Sequence, residues 1–124
     1  MVDAIILAGG QNSKPLRRFA GEQYEALIEI NGQPMVTYVA RALSASRNVD
    51  RIFAVGPCGI LRKCDFPAET VIVESGRTII DTIVSGMEAL GHDRHVLVVT
   101  ADIPLLSAQA IDNFLEQCSP AIAD

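Results

Sequence analysis

The run Ile5-Ile6-Leu7-Ala8 stops abruptly at Gly9-Gly10 and gives way to a polar, basic loop, Gln11 to Gly21, carrying Lys14, Arg17 and Arg18. Val2 to Ala8 is almost continuously apolar, as a strand buried on both faces must be, and a parallel sheet covered by helices supplies such burial. An apolar strand feeding a loop of this kind sets backbone amides and positive charge beside a phosphate. Glycine suits the junction because a ligand can approach a backbone that has no Cβ.

The remaining pattern repeats the alternation. Ala26 to Ile30 reads as a short extended segment, and Asn31-Gly32 as a turn. Pro34 fits the first turn of a helix with Val36, Val39, Ala40 and Leu43 along its apolar stripe. A second strand, Arg51 to Val55, closes at Gly56-Pro57; Cys58 to Glu69 carries no clear period. Val71-Ile72-Val73 is a third strand, ending at Glu74-Ser75-Gly76. Thr78 followed by Asp81 is a variant capping box, opening a helix with Ile80, Ile83, Val84 and Met87 on one face and ending at Gly91. The fourth strand, His95 to Thr100, ends at Ala101-Asp102-Ile103-Pro104. Ser107 then caps a last helix with Ile111, Phe114, Leu115 and Cys118 towards the core. Ala121-Ile122-Ala123 reads as the start of another strand, which leaves open a fragment or a naturally minimal version of a longer protein.

Apolar strands alternating with helices predict an α/β fold, a parallel sheet covered by helices on both faces. Ligands of such sheets bind at the carboxyl ends of the strands, where Gly9-Gly10, Gly56, Ser75-Gly76 and Asp102 are expected to converge. No G-x-G-x-x-G opens a helix, which disfavours a dinucleotide-binding dehydrogenase, and no P-loop is present. Asp102 directly follows a buried strand, where its carboxylate can serve as a hard oxygen ligand for Mg2+ or simply close a turn. His92 and His95 lack the company that a catalytic base or a metal ligand needs.

With 124 residues, the chain is expected to form one domain, 1–124. Its net charge of −5 argues against a nucleic-acid partner. The local cations instead suit a small anionic ligand. No apolar run approaches the ~20 residues of a membrane helix, and Met1-Val2-Asp3 lacks the basic start of a secretory signal, so a cytoplasmic location is expected. Cys58, Cys64 and Cys118 form no metal-ligand spacing and read as free thiols.

Three motifs in order, Leu7-Ala8-Gly9-Gly10, Glu29-Ile30-Asn31-Gly32-Gln33-Pro34-Met35 and Ala101-Asp102-Ile103-Pro104-Leu105-Leu106, resemble the MobA-like nucleotidyltransferase family. Glu74-Ser75-Gly76 with Asp81-Thr82 and Ser85-Gly86 is similar to a nucleotide-contacting segment of the related cytidylyltransferases. The resemblance runs from residue 1 to the end and covers the amino-terminal half, or a little more, of a usual member. It implies a nucleotide-diphospho-sugar transferase fold, a three-layer α/β/α Rossmann-like sandwich with a mostly parallel sheet, and an Mg2+-dependent transfer of NMP from an NTP to a phosphorylated small-molecule acceptor, with release of pyrophosphate. Leu7, Ala8, Gly9, Gly10, Gly56, Ser75, Gly76 and Asp81 would hold the nucleotide. Lys14, Arg17 and Arg18 would clamp its phosphates, and Asp102 would bind Mg2+.

Two departures bear on catalysis. Where the family carries a lysine shortly before its Asn-Gly-x-Pro motif, this sequence has Glu25. Unit charges ~4 Å apart at an effective dielectric near 20 interact by about 4 kcal/mol, roughly a thousandfold in rate. In the family the distal region supplies a further metal contact and most of the acceptor site; if the chain ends at Asp124, that pocket is absent or supplied by another subunit, and an open sheet edge there would favour a homodimer. The competing expectation is therefore a non-catalytic nucleotide-binding or regulatory module.

Overall fold

Val2–Leu7 (β1) lies inside a four-stranded parallel sheet in the computed structural model, which describes residues 1–9, 28–75, 78–91, 95–101, 103 and 105–118. The other elements follow in chain order: Glu29–Ile30 (β2), Gln33–Pro34 (β3), Met35–Ala45 (α1), Val49–Gly56 (β4), Cys58–Leu61 (α2), Val71–Glu74 (β5), Ile79–Leu90 (α3), Val96–Thr100 (β6) and Ala108–Cys118 (α4). The sheet order is β5-β4-β1-β6. From β1 the chain steps outward through β4 and β5, then returns to the other side of β1 as β6. The reversal creates a topological switch point between β1 and β6, and the crevice lies beyond their carboxyl ends.

Successive residues of β1 point to opposite faces, so its apolar run feeds two cores. Ala4, Ile6 and Ala8 pack with Val36, Val39, Ala40 and Leu43 of α1 and with Ile111 and Leu115 of α4. Ile5 joins Phe53, Val55 and Leu90 on the other face, beneath α3. The result is the expected α/β/α sandwich. No helix among the described residues is long and apolar enough to cross a membrane.

Several local expectations change. The second strand is longer, Val49–Gly56, because its amino end pairs with Val2. Asn31 and Gly32, at φ 52 and 80, form the two-residue turn of a small hairpin, with Pro34 in β3 just ahead of α1. Tyr38 donates its hydroxyl to the Ile30 carbonyl and ties that hairpin to α1.

The face of α3 is the main correction. Thr82, Gly86 and Leu90 face the sheet, whereas Ile80 (73 % exposed), Val84 and Met87 do not. The reason is at Gly86, where a Cβ would meet Ile5 Cδ1 at 2.9 Å and Val55 Cγ2 at 3.2 Å. Small residues let this helix settle onto the strands, and Ile80, Val84 and Met87 stand to the side. On α4, Ile111 and Leu115 are buried as expected, but Phe114 and Cys118 are exposed.

One feature of β1 runs against its apolar pattern. Asp3 is 1 % exposed, and its carboxylate accepts from Arg51 Nη2 at 2.6 Å, Nε at 3.2 Å and the Arg51 peptide N–H at 3.2 Å. The β1–β4 register shifts between Val2 and Ala4, and Asp3 fills the gap in the ladder. The same Arg51 nitrogen donates to the Leu90 carbonyl at 3.1 Å, locking the end of α3 to the amino edge of the sheet.

Candidate functional site

The carboxyl edge is built from strand exits. Ala8 N–H donates to the Val55 carbonyl at 2.8 Å, so β1 stays beside β4 for one residue beyond its own end. Gly56 closes β4 so near that a Cβ there would stand 3.0 Å from the Ala8 oxygen and 3.1 Å from the Ala8 carbonyl carbon. Ser75 N–H then donates to the Gly56 carbonyl at 3.1 Å. A Cβ on Gly9 would meet Ser75 Cβ and Oγ, both at 3.1 Å. The exits of three strands thus form one ledge, with Leu7, Ala8 and Gly9 at one side and Gly56 and Ser75 at the other.

Glu74 stiffens this ledge. Its Oε2 accepts from the Cys58 peptide N–H at 3.0 Å, joining the turn after Gly56 to the end of β5. That bond holds the Glu74 carboxyl below its usual range, with the Cys58 thiol adding to the effect. Burial pushes the Cys58 thiol up, and Glu74 raises it further, so Cys58 is a poor nucleophile at neutral pH. The sequence gives no sign of this bond, since it is made to a peptide group and leaves no side-chain signature.

On the far side of β1, Leu7 pairs with Thr100, so β6 ends level with the ledge. Ala101 turns inward and is buried, while Ile103 and Leu105 are exposed. Asp81 sits in the exposed first turn of α3, and its peptide N–H donates to Thr78 Oγ1 at 3.1 Å. Thr78 is therefore the cap that the sequence indicates. Gly10, Lys14, Arg17, Arg18, Glu25, Gly76, His92 and Asp102 lie outside the described residues.

His95 belongs to the opposite edge, where its carbonyl accepts from Asp3 N–H at 3.2 Å. A cavity of about 370 Å3 bounded by Asp50, Arg51, Glu69 and Thr70 also lies at that edge, away from the ledge. Among the described residues no group of three or more His, Cys, Asp or Glu side chains could hold a metal ion. Chemically, the described edge offers backbone polar groups, a serine hydroxyl and close access. Such groups can position a ligand; none of them is a strong nucleophile.

A family model described as the MobA-like NTP transferase domain matches residues 4–124. A molybdenum cofactor guanylyltransferase of Shewanella sediminis is 28% identical over 125 residues, covering 99% of this chain and 60% of that protein. A 2-C-methyl-D-erythritol 4-phosphate cytidylyltransferase of Clostridium perfringens is 29% identical over 105 residues, covering 78% of this chain and 44% of its own length. Among solved structures, a hypothetical transferase from Thermus thermophilus superposes with a TM-score of 0.72 at 30% identity, over 95% of this chain and 47% of that one. The chain thus spans about half the length of the proteins it matches. The architecture is that of the nucleotide-diphospho-sugar transferase fold.

Proposed function

This chain belongs to the MobA-like NTP transferase family, and from that premise we propose that residues 1–124 are the nucleotide-binding part of an Mg2+-dependent nucleotidyltransferase domain. The reaction moves NMP from an NTP to a phosphorylated small-molecule acceptor. An acceptor phosphate oxygen attacks the α-phosphorus, the bond from that phosphorus to the bridging oxygen breaks, and the electron pair leaves on pyrophosphate. Such transfer depends on in-line positioning and charge neutralisation more than on a protein nucleophile.

The observation that carries this reading is the ledge, where Gly9, Gly56 and Ser75 meet at the carboxyl edge beside the switch point. In the proposed roles, Leu7, Ala8, Gly9, Gly10, Gly56, Ser75, Gly76 and Asp81 hold the base and ribose. Lys14, Arg17 and Arg18 clamp the phosphates. Asp102 holds Mg2+, which supplies charge neutralisation at the phosphates when bound. The net charge of −5 disfavours a nucleic acid, the local cations Lys14, Arg17 and Arg18 suit a small anionic substrate, and the proposed location is the cytoplasm.

Glu25 favours a second reading, a nucleotide-binding module without turnover. Titrating the four NTPs with Mg2+ by calorimetry, then measuring pyrophosphate release with a panel of sugar and polyol phosphates, separates the two. Binding with release supports transfer. Binding without release, with turnover appearing in Glu25→Lys, supports the module. No binding of any NTP contradicts both.

A further inference from the structure

Five lysines and arginines lie among the described residues, and three of them are taken up by ion pairs: Arg41 with Asp65, Arg47 with Glu116 and Arg51 with Asp3. Arg62 and Lys63 are exposed and enter no ion pair among the described residues. They follow α2, which leaves β4 through Gly56-Pro57 and so stands at the carboxyl edge of the sheet.

Three contacts fix α2 to the ledge. A Cβ on Gly56 would stand 2.9 Å from Leu61 Cδ1, so this short helix lies directly against the exit of β4. The Arg62 peptide N–H donates to the Cys58 carbonyl at 3.0 Å, and the Cys58 N–H donates to Glu74 Oε2, also at 3.0 Å. Arg62 is thus two hydrogen bonds from the end of β5, next to Ser75. Its charge reaches the same place. The Cys58 bond and, to a lesser degree, the Arg62 charge hold the Glu74 carboxyl below its usual range. Burial and Glu74 raise the Cys58 thiol, and the Arg62 charge opposes them. The guanidinium nevertheless closes no ion pair with Glu74, and its N–H donors make no hydrogen bond among the described residues.

We propose that Arg62 selects the nucleobase: its guanidinium fork donates to a base edge that carries two neighbouring acceptors, O6 and N7 of guanine or O2 and N3 of cytosine. This rests on the reading above, in which the ledge holds base and ribose. The phosphates of such a nucleotide run towards the crevice at the switch point between β1 and β6. Its base then extends the other way along the ledge, over the exits of β4 and β5 and towards α2. A guanidinium only donates, and its planar fork matches two acceptors side by side. Adenine sets its N6 amino donor beside N7, and uracil sets an N3–H between O2 and O4. Each turns a donor towards one prong of the fork, so Arg62 disfavours ATP and UTP.

Calorimetric titration of the chain with GTP, CTP, ATP and UTP in the presence of Mg2+ tests this. GTP or CTP is expected to bind about tenfold more tightly than ATP and UTP, or better. In Arg62→Ala that preference is expected to fall to about twofold or less, with little change in Tm because Arg62 is exposed. Arg62→Lys keeps the charge without the fork and is expected not to restore the preference, whereas Lys63→Ala is expected to retain it. Weaker binding of 7-deaza-GTP, which lacks the N7 acceptor, assigns the contact to guanine. Weaker binding of 2-thio-CTP, in which a poorer acceptor replaces O2, assigns it to cytosine. Equal affinity for all four NTPs, or a preference for ATP or UTP, overturns the proposal and leaves the ledge as a nucleotide site. A preference that survives Arg62→Ala, or that Arg62→Lys restores in full, does the same. No binding of any NTP overturns both the proposal and the reading beneath it.

Discussion

Gly9 lies against Ser75 so closely that a Cβ on Gly9 would stand 3.1 Å from both the Ser75 Cβ and its Oγ. That contact joins the exit of β1 to the exit of β5 across the end of β4. Gly9→Ala forces Ser75 to give by a few tenths of an ångström and tilts the ledge. Nucleotide affinity is expected to fall about tenfold, or ~1.4 kcal/mol, with little change in Tm. Gly9→Ala combined with Ser75→Gly removes the clash and is expected to recover part of the loss. Calorimetric titration of the three proteins checks this.

Gly56 and Gly86 are predicted to resist alanine for different reasons. At Gly56 the added Cβ meets the Ala8 backbone at 3.0 Å, which cannot step aside without disturbing the β1 exit. At Gly86 alanine gains about 1 kcal/mol of helix propensity but presses on Ile5, which is fully buried. Overpacking of this kind costs about 1–3 kcal/mol. Both variants are therefore expected to be destabilised, Gly56→Ala by the larger amount. Urea denaturation measures each.

Arg51→Ala removes both guanidinium bonds from the buried Asp3 carboxylate and leaves the bond from the peptide N–H of residue 51. Breaking a buried pair from one side costs about 3–5 kcal/mol, and the half-exposed guanidinium puts Arg51→Ala at about 3 kcal/mol, the lower end of that range. Arg51→Lys cannot make the two-pronged contact and is expected to recover only part. Asp3→Asn added to Arg51→Ala should cost less than the two single changes summed, because the charge that needs a partner is gone.

Acid should weaken the fold through two carboxyls. The Ser46 hydroxyl holds Asp112 below its usual range, helped by the Arg47 and Asn48 peptide groups and the Arg47 charge; the Cys58 peptide N–H does the same for Glu74. A depressed folded-state pKa contributes stability above the unfolded value, and that stability is lost as pH falls through the folded value. Tm is thus expected to hold near neutrality and drop below the normal carboxylate range. Asp112→Asn and Glu74→Gln should each flatten that acid limb in thermal melts taken across pH.

How far the sequence speaks depends on what kind of contact is involved. β1 and the stripe of α1 are legible because burial on a regular element leaves a period, and the meeting of Gly9, Gly56 and Ser75 because the exits of parallel strands share one edge. The α3 face is misread because the residues that touch the sheet, Thr82 and Gly86, are the ones hydrophobicity passes over. Asp3 reads as an interruption in an apolar run, since its partner is 48 residues away. The bond from Cys58 N–H to Glu74 is invisible for a simpler reason: any residue other than proline at position 58 would offer the same donor.

Amide chemical-shift mapping during titration with an NTP tests the central claim most directly. The account predicts saturable shifts at Gly9, Gly56 and Ser75, with Asp3 and His95 at the amino edge unmoved. Shifts gathered instead around Asp50 and Thr70, or none anywhere on the ledge at saturating nucleotide, would contradict it.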